Sequence, residues 1–197
     1  MRHFIDIVEA ADKAFENWFA GSKVVDEHGA PLVVYHGGSS WRVAPGVTWF
    51  TDDPAVADGY ADQGYGDPEI KACYLRIEKP LDLRDARHIE LAFPDGFAEY
   101  VHPAYADRDA VFALRTSREA IRHAIDYAQQ HGYDGVIHPD TNVQNRGHHT
   151  AYVIFSPNQV KAAEFQGWED DLIYGDHARH GGKAGFSRDS DDIMEDE

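Results

Sequence analysis

"PLVVYHGGSS", residues 31–40, joins an apolar run to a histidine, two glycines and two serines. Leu32, Val33, Val34 and Tyr35 have the length and β-branching of a buried strand. His36 closes that strand, and Gly37 follows it with a backbone that no side chain shields. Bare backbone beside an imidazole suits a bound ligand, and it also suits an ordinary turn. Upstream, "SKVVDEHGAPLVVYHG" (22–37) reads as two short strands around a turn at "EHGA".

Working outward, residues 3–20 carry Phe4, Ile7, Val8, Ala11, Phe15, Trp18 and Phe19 at helical spacing, with Gly21 as a stop. "VTWF" (47–50) is a further strand. In "DDPAVADGYA" behind it, Asp53 is placed to cap a helix with Pro54 in its first turn. "EIKACYLRIE" (69–78) alternates as a strand. Residues 79–116 are rich in Pro and Asp and read as an insertion with a short helix near 88–93. Thr116 with Glu119 has the form of a capping box before a helix striped by Ile121, Ala124, Ile125 and Ala128. "YDGVIH" and "AYVIF" are strands joined by the polar loop "PDTNVQNRGHH", long enough to expect function of it. Strands are expected at 32–36, 47–50, 70–77, 134–138 and 151–155. Short strands interrupted by helices, without a βαβ rhythm or an internal repeat, predict an α+β fold.

The chain has 197 residues, enough for one domain with an adequate core, and a single cysteine, Cys73, in a strand. A disulfide framework and a thiolate zinc site are thereby excluded, and a buried Cys73 makes a poor nucleophile. No apolar run approaches the ~20 residues of a membrane span. The acids of the N-terminal segment do not suit a signal peptide, so a cytoplasmic protein is expected. The formal charge of −17 repels phosphate backbones in general while leaving a local basic cleft open. Residues 1–168 are expected to form the domain. Residues 169–197, ending in "DSDDIMEDE", read as an acidic tail without fixed structure. The adjacent His148 and His149 point to opposite faces of a strand, and no metal site is expected. Neither a GxxxxGK loop nor a GxGxxG after a strand is present.

Three pieces taken in order, "VVYHGG", "VTWFTDDPAVADGYA" and "AYVIFSPNQVK", resemble the His-Tyr-Glu branch of the ADP-ribosyltransferase fold. That is the branch of diphtheria toxin and the poly(ADP-ribose) polymerases. The likeness is nearest to the domains found in phage and mobile-element polyvalent proteins. It covers about residues 15–78 and 130–162. Tyr35-His36-Gly37 matches the motif that ends the first strand. Trp49 and Tyr60 match the aromatic on the second strand and the aromatic on the helix after it. Tyr152 to Phe155, followed by Gln159-Val160, matches the third strand and its turn.

The resemblance implies split, mainly antiparallel sheets with a cleft between them, and NAD as the substrate that donates ADP-ribose. Trp49, with Phe50 beside it, and Tyr60 would border a flat nicotinamide, which aromatic faces hold by stacking and cation–π attraction. Gly37 would offer its backbone to the carboxamide, and His36 a hydrogen bond to the adenosine ribose. Gln159 reads as structural, and Asp134 and Gly135 as shaping a turn. The branch's catalytic glutamate stands just before the tyrosine of the third strand, and here that position is Ala151. Substitutes are expected from the neighbouring loop: His149 first, then Gln144, Asn145 and Asp140. His149 and Ala151 lie about 7 Å apart on one face of an extended strand. The expected acceptor is a macromolecule, a protein before a nucleic acid, and the role that of a phage or bacterial effector or toxin. The alternatives are an inactive module that only binds a nucleotide or a partner, and a structural part of a larger phage polyprotein.

Overall fold

The computed structural model describes residues 12–38, 46–61, 68–101, 103, 110–141 and 147–163. Gln144, Asn145, the first half of the expected N-terminal helix and the acidic tail lie outside them. In chain order the elements are a helix α1 (12–19), β1 (Val34–Gly38), β2 (Thr48–Thr51), α2 (Pro54–Ala61), β3 (Glu69–Leu75) and β4 (Pro80–Asp82). There follow α3 (Ala86–Ala92), α4 (Ala110–Thr116), α5 (Arg118–Gln130), β5 (Gly135–Thr141) and β6 (His148–Ile154). A 3₁₀ turn (Pro157–Gln159) leads into β7 (Val160–Ala162).

The strands form one seven-stranded sheet in the order β4-β5-β6-β2-β1-β3-β7. Every pairing is antiparallel except β4 with β5. The fold is therefore α+β with a mainly antiparallel sheet. The two halves are not separate packed sheets; they meet at β1 and β2, which share a single register pair, Tyr35↔Thr51. By contrast β1 makes five such pairs with β3. The seam is consequently the weakest-zipped part of the sheet's centre, and past it the strands diverge.

Local sequence explains the elements around that seam. Asp53 caps α2 as its residue type predicts, its carboxylate accepting from the Ala55 N–H at 2.9 Å. The cap of α5 is Ser117 rather than Thr116, accepting from the Ala120 N–H at 3.1 Å. Thr116 instead ends α4, its hydroxyl donating to the Phe112 carbonyl four residues back. The hairpin expected at 22–37 contracts to one bridge, Val25↔Pro31. Its turn is fixed by the Asp26 side chain, which accepts from the N–H groups of His28 and Ala30. Gln159 has the structural role its position suggests: it accepts from Phe155 and Ser156 and donates to the carbonyls of Arg76 and Asp134. Asp134 in turn accepts from the N–H groups of Glu78 and Lys79, both at 2.8 Å.

The pleat sorts the side chains into two cores. On one face Val34, Phe50, Cys73, Leu75, Ile77, Ile137, Tyr152 and Ile154 pack together. Burial there pushes the Cys73 thiol up to about 12. On the other face Val136 and Val153 pack beneath α5, together with Leu81, Leu83, Ala92, Phe93 and Leu114. Leu81, Leu83, Ala92, Phe93 and Leu114 come from the stretch that reads as an insertion. Residues 79–116 thus supply an edge strand and much of a core, each large apolar side chain contributing ~1.5–3 kcal/mol by burial. Among the described residues no helix is long and apolar enough to cross a membrane.

Candidate active site: a cleft across the sheet seam

The face that carries α5 also carries α2, which packs on β1. Between α2 on one side and the α4–α5 junction on the other, the middle of the sheet is left uncovered. The result is a cleft of about 950 Å³. Its floor consists of alternate residues of β2, β6 and β5. Thr51 pairs with Ala151, Ala151 with His138, and His149 with Asp140. All five line the cleft, together with His36, Gly37, Trp49, Phe50 and Tyr60.

Gly37 is required by packing. A Cβ there would collide with the Ala57 carbonyl, so only glycine lets α2 settle on β1. That reason differs from the bare backbone inferred for it from sequence, and it fixes the height of the α2 wall. His36 stands at the divergence of the strands. Its Nδ1–H donates to the Trp49 carbonyl at 2.8 Å, bridging the gap that the backbone ladder leaves open. Because a carbonyl can only accept, Nε2 is left for another partner. The ring also packs on Phe50, centroids 5.3 Å apart. Phe50 itself is only 3% exposed and belongs to the core on the far face, so it borders the cleft as a backing residue.

Trp49 and Tyr60 are the exposed aromatics of the cleft, 40% and 59% accessible. Trp49 is not a core residue. One edge of it is held by His138, perpendicular at 5.6 Å. Tyr60 projects from α2, whose Val56, Ala57 and Ala61 are buried against the sheet.

Around Ala151 the polar groups form a chain. The Asp53 N–H donates to the Thr51 hydroxyl at 3.0 Å, and that hydroxyl meets His149 Nδ1, also at 3.0 Å. His149 Nε2 faces Asp140 Oδ2 at 3.8 Å, and the other Asp140 oxygen accepts from the Thr141 N–H. The His149 side chain is 5% exposed and that of Asp140 26%. A carboxylate thus enters the cleft from β5, on the same face as Ala151 and two register pairs away. The structure brings His36, Gly37, Trp49, Tyr60, Asp140, His149 and Ala151 to one cleft.

Two features of the cleft were not singled out from sequence. His138 lies directly across from Ala151, is 1% exposed, and keeps Nδ1 on the Pro139 carbonyl at 3.0 Å. Its Nε2 has no hydrogen-bond partner. Burial lowers its pKa, keeping the ring neutral and Nε2 an acceptor, and Asp140 opposes that shift. The signal was present: "DGVIH" ends an apolar run in histidine as "LVVYH" does. The second feature is the helical wall, where Leu114, Arg115, Arg118, Ile121 and Arg122 converge. Arg115 Nε is buried without a partner, and among the described residues it and His138 Nε2 are the two such side-chain atoms. Both line this cleft. Unpaired buried polar atoms cost ~1–3 kcal/mol each, so both nitrogens favour a partner such as water or a ligand.

A seam-split antiparallel sheet bearing Tyr-His-Gly at the first strand, and aromatics on the second strand and its helix, defines an ADP-ribosyltransferase-type domain. The sequence profile described as the ADP-ribosyltransferase of polyvalent proteins matches residues 26–167. The chain belongs to that family, in which NAD serves generally as the donor. The match runs through residues 79–116, in keeping with their place in the core. No curated protein sequence and no solved structure matches the chain.

Proposed function

We propose that the protein transfers ADP-ribose from NAD to a macromolecular acceptor, and that the cleft over the sheet seam is where it does so. The observation that carries this reading is the convergence of His36, Trp49, Tyr60, His149 and Asp140 around Ala151 in one cleft. Nicotinamide lies against Trp49 and Tyr60, and His36 Nε2 takes a hydroxyl of the adenosine ribose. As the glycosidic bond breaks, its electron pair leaves with neutral nicotinamide and C1′ of the ribose becomes an oxocarbenium-like centre. The Asp140 carboxylate supplies the negative potential that such a centre needs, in a partly buried setting where it counts for more than in water. The acceptor's nucleophile then bonds to C1′, and its proton passes to Asp140. His149, held by the Thr51 hydroxyl, orients Asp140 from the side opposite Thr141.

Ala151 favours a second reading, in which the domain binds NAD and performs no transfer. A methyl group cannot hold the ribose 2′-hydroxyl, so activity depends on Asp140 reaching the sugar from the next strand. We further propose that it acts as a phage or bacterial effector in a cytoplasm on one protein acceptor, a role that membership of a polyvalent-protein family supports. Incubation with NAD labelled in the adenylate phosphate and a bacterial lysate tests the proposal. Transfer of label to a discrete band, lost in His36→Ala, supports it. Saturable NAD binding with neither label transfer nor nicotinamide release supports the inactive module.

A further inference from the structure

The described arginines divide into two sets. Arg76, Arg84 and Arg87 each pair with a carboxylate two residues away in sequence. Arg115, Arg118 and Arg122 pair with none among the described residues, and all three line the α4–α5 side of the cleft. Asp126 stands one helical turn beyond Arg122 in the same wall and is not engaged by it. Three unpaired guanidinium groups in one wall are unexpected in a chain of charge −17, where carboxylates are plentiful. The enclosed Arg115 Nε has no hydrogen-bond partner, although a guanidinium fork normally satisfies its donors on oxygen. The wall also begins α5: Ser117 caps it, and the partial positive charge of that helix end adds to the arginines.

We propose that Arg115, Arg118 and Arg122 form a phosphate-binding wall. Arg115 is the fixed member because its Nε is held inside the fold, and Arg118 and Arg122 are the exposed members that close on the anion. The link to ADP-ribose transfer rests on the reading above, but phosphate binding does not. Strand order defines two sources for the phosphate. The residues assigned to the nicotinamide and the adenosine ribose sit on β1, β2 and α2, whereas the arginines sit over β5, beyond β6 and Ala151. The wall therefore holds either the donor's pyrophosphate, reaching across the floor, or a phosphate on the acceptor, arriving from the far side of the reacting carbon.

The probe is inorganic pyrophosphate, titrated calorimetrically into the full chain. The wild-type protein should bind it saturably, and added salt should weaken the binding. Arg118→Gln/Arg122→Gln changes exposed residues only and should weaken it about tenfold or more. Adding Arg115→Gln should remove it, with circular dichroism confirming that each variant is folded. Absence of binding to the wild type, or equal binding to the folded double variant, overturns the proposal. Displacement of pyrophosphate by ADP-ribose assigns the wall to the donor; simultaneous binding of both assigns it to the acceptor. A protein that binds pyrophosphate through these arginines yet takes neither NAD nor ADP-ribose keeps the wall and sinks the NAD reading.

Discussion

Neighbouring rows of the same three strands have opposite fates. Phe50, Tyr152 and Ile137 form a cross-strand row, 3%, 3% and 0% exposed, sealed in the core of one face. One residue along, Thr51, Ala151 and His138 form the next row, on the face that becomes the cleft floor. The first row is filled by large side chains; even its tyrosine is pushed up to about 12 by burial. The second row carries a small residue, an unpaired imidazole nitrogen and a hydroxyl already committed to His149. Because the pleat separates the two, the protein holds its fold with one set of residues and lines its cleft with the other. Substitutions in the two rows should therefore fail in different assays.

The largest expected effect is on the sealed row. Ile137→Ala leaves a cavity in a fully buried position and should cost about 2–5 kcal/mol in urea-induced unfolding. NAD binding per folded molecule should be unchanged. A stable Ile137→Ala protein that had lost NAD binding would mean the two faces are not independent. Next, Asp140→Asn removes the carboxylate that enters the cleft beside Ala151 and should slow nicotinamide release roughly 100-fold, with the unfolding midpoint nearly unmoved. Undiminished release would remove Asp140 from the chemistry. Tyr60→Ala strips a wall that is more than half exposed, so stability should hold while NAD affinity falls by about 1–3 kcal/mol in a calorimetric titration.

The smallest effect is a pH dependence, and it arises on the cleft side. Burial depresses the His138 pKa below its ordinary 6.5, so the unfolded chain takes up a proton that the folded ring resists. The stability that His138 allows is complete above 6.5 and is lost as pH falls below it. Urea midpoints should thus decline from pH 7 to pH 5, and less steeply in His138→Gln. Identical slopes would mean that the buried imidazole is not held neutral.

Five of the seven strands were legible because each is an apolar run bounded by glycine, proline or aspartate, with boundaries shifted by one to three residues; the three-residue edge strands β4 and β7 were not expected. Thr48–Thr51 stands where "VTWF" was read, and the cap at Asp53 is where its chemistry puts it. The single seam pair, Tyr35↔Thr51, was not legible, since hydrogen-bond register across the fifteen residues between them leaves no local trace. In residues 79–116 the short helix near 88–93 was legible and stands at Ala86–Ala92, but the core role of Leu81 and Leu83 was not: proline and aspartate signal turns locally, while these leucines are buried by partners far along the chain. At the site, His36, Trp49 and Tyr60 carried a local pattern, and the structure brings all three to one cleft. The apposition of Arg115 and Arg118 to the floor depends on how α4 and α5 turn over β5, which no spacing within either helix encodes.

We propose that the open face of the seam, and no other surface, is the NAD site. Calorimetric titration of NAD into the wild-type protein and into Trp49→Ala tests it most directly. Trp49 is 40% exposed at the floor of the cleft, so its removal should leave the protein folded. The account predicts saturation at one NAD per chain in the wild type, and binding about tenfold weaker or more in the variant. Absence of saturable binding to the wild type, or equal affinity in the two proteins, would contradict it.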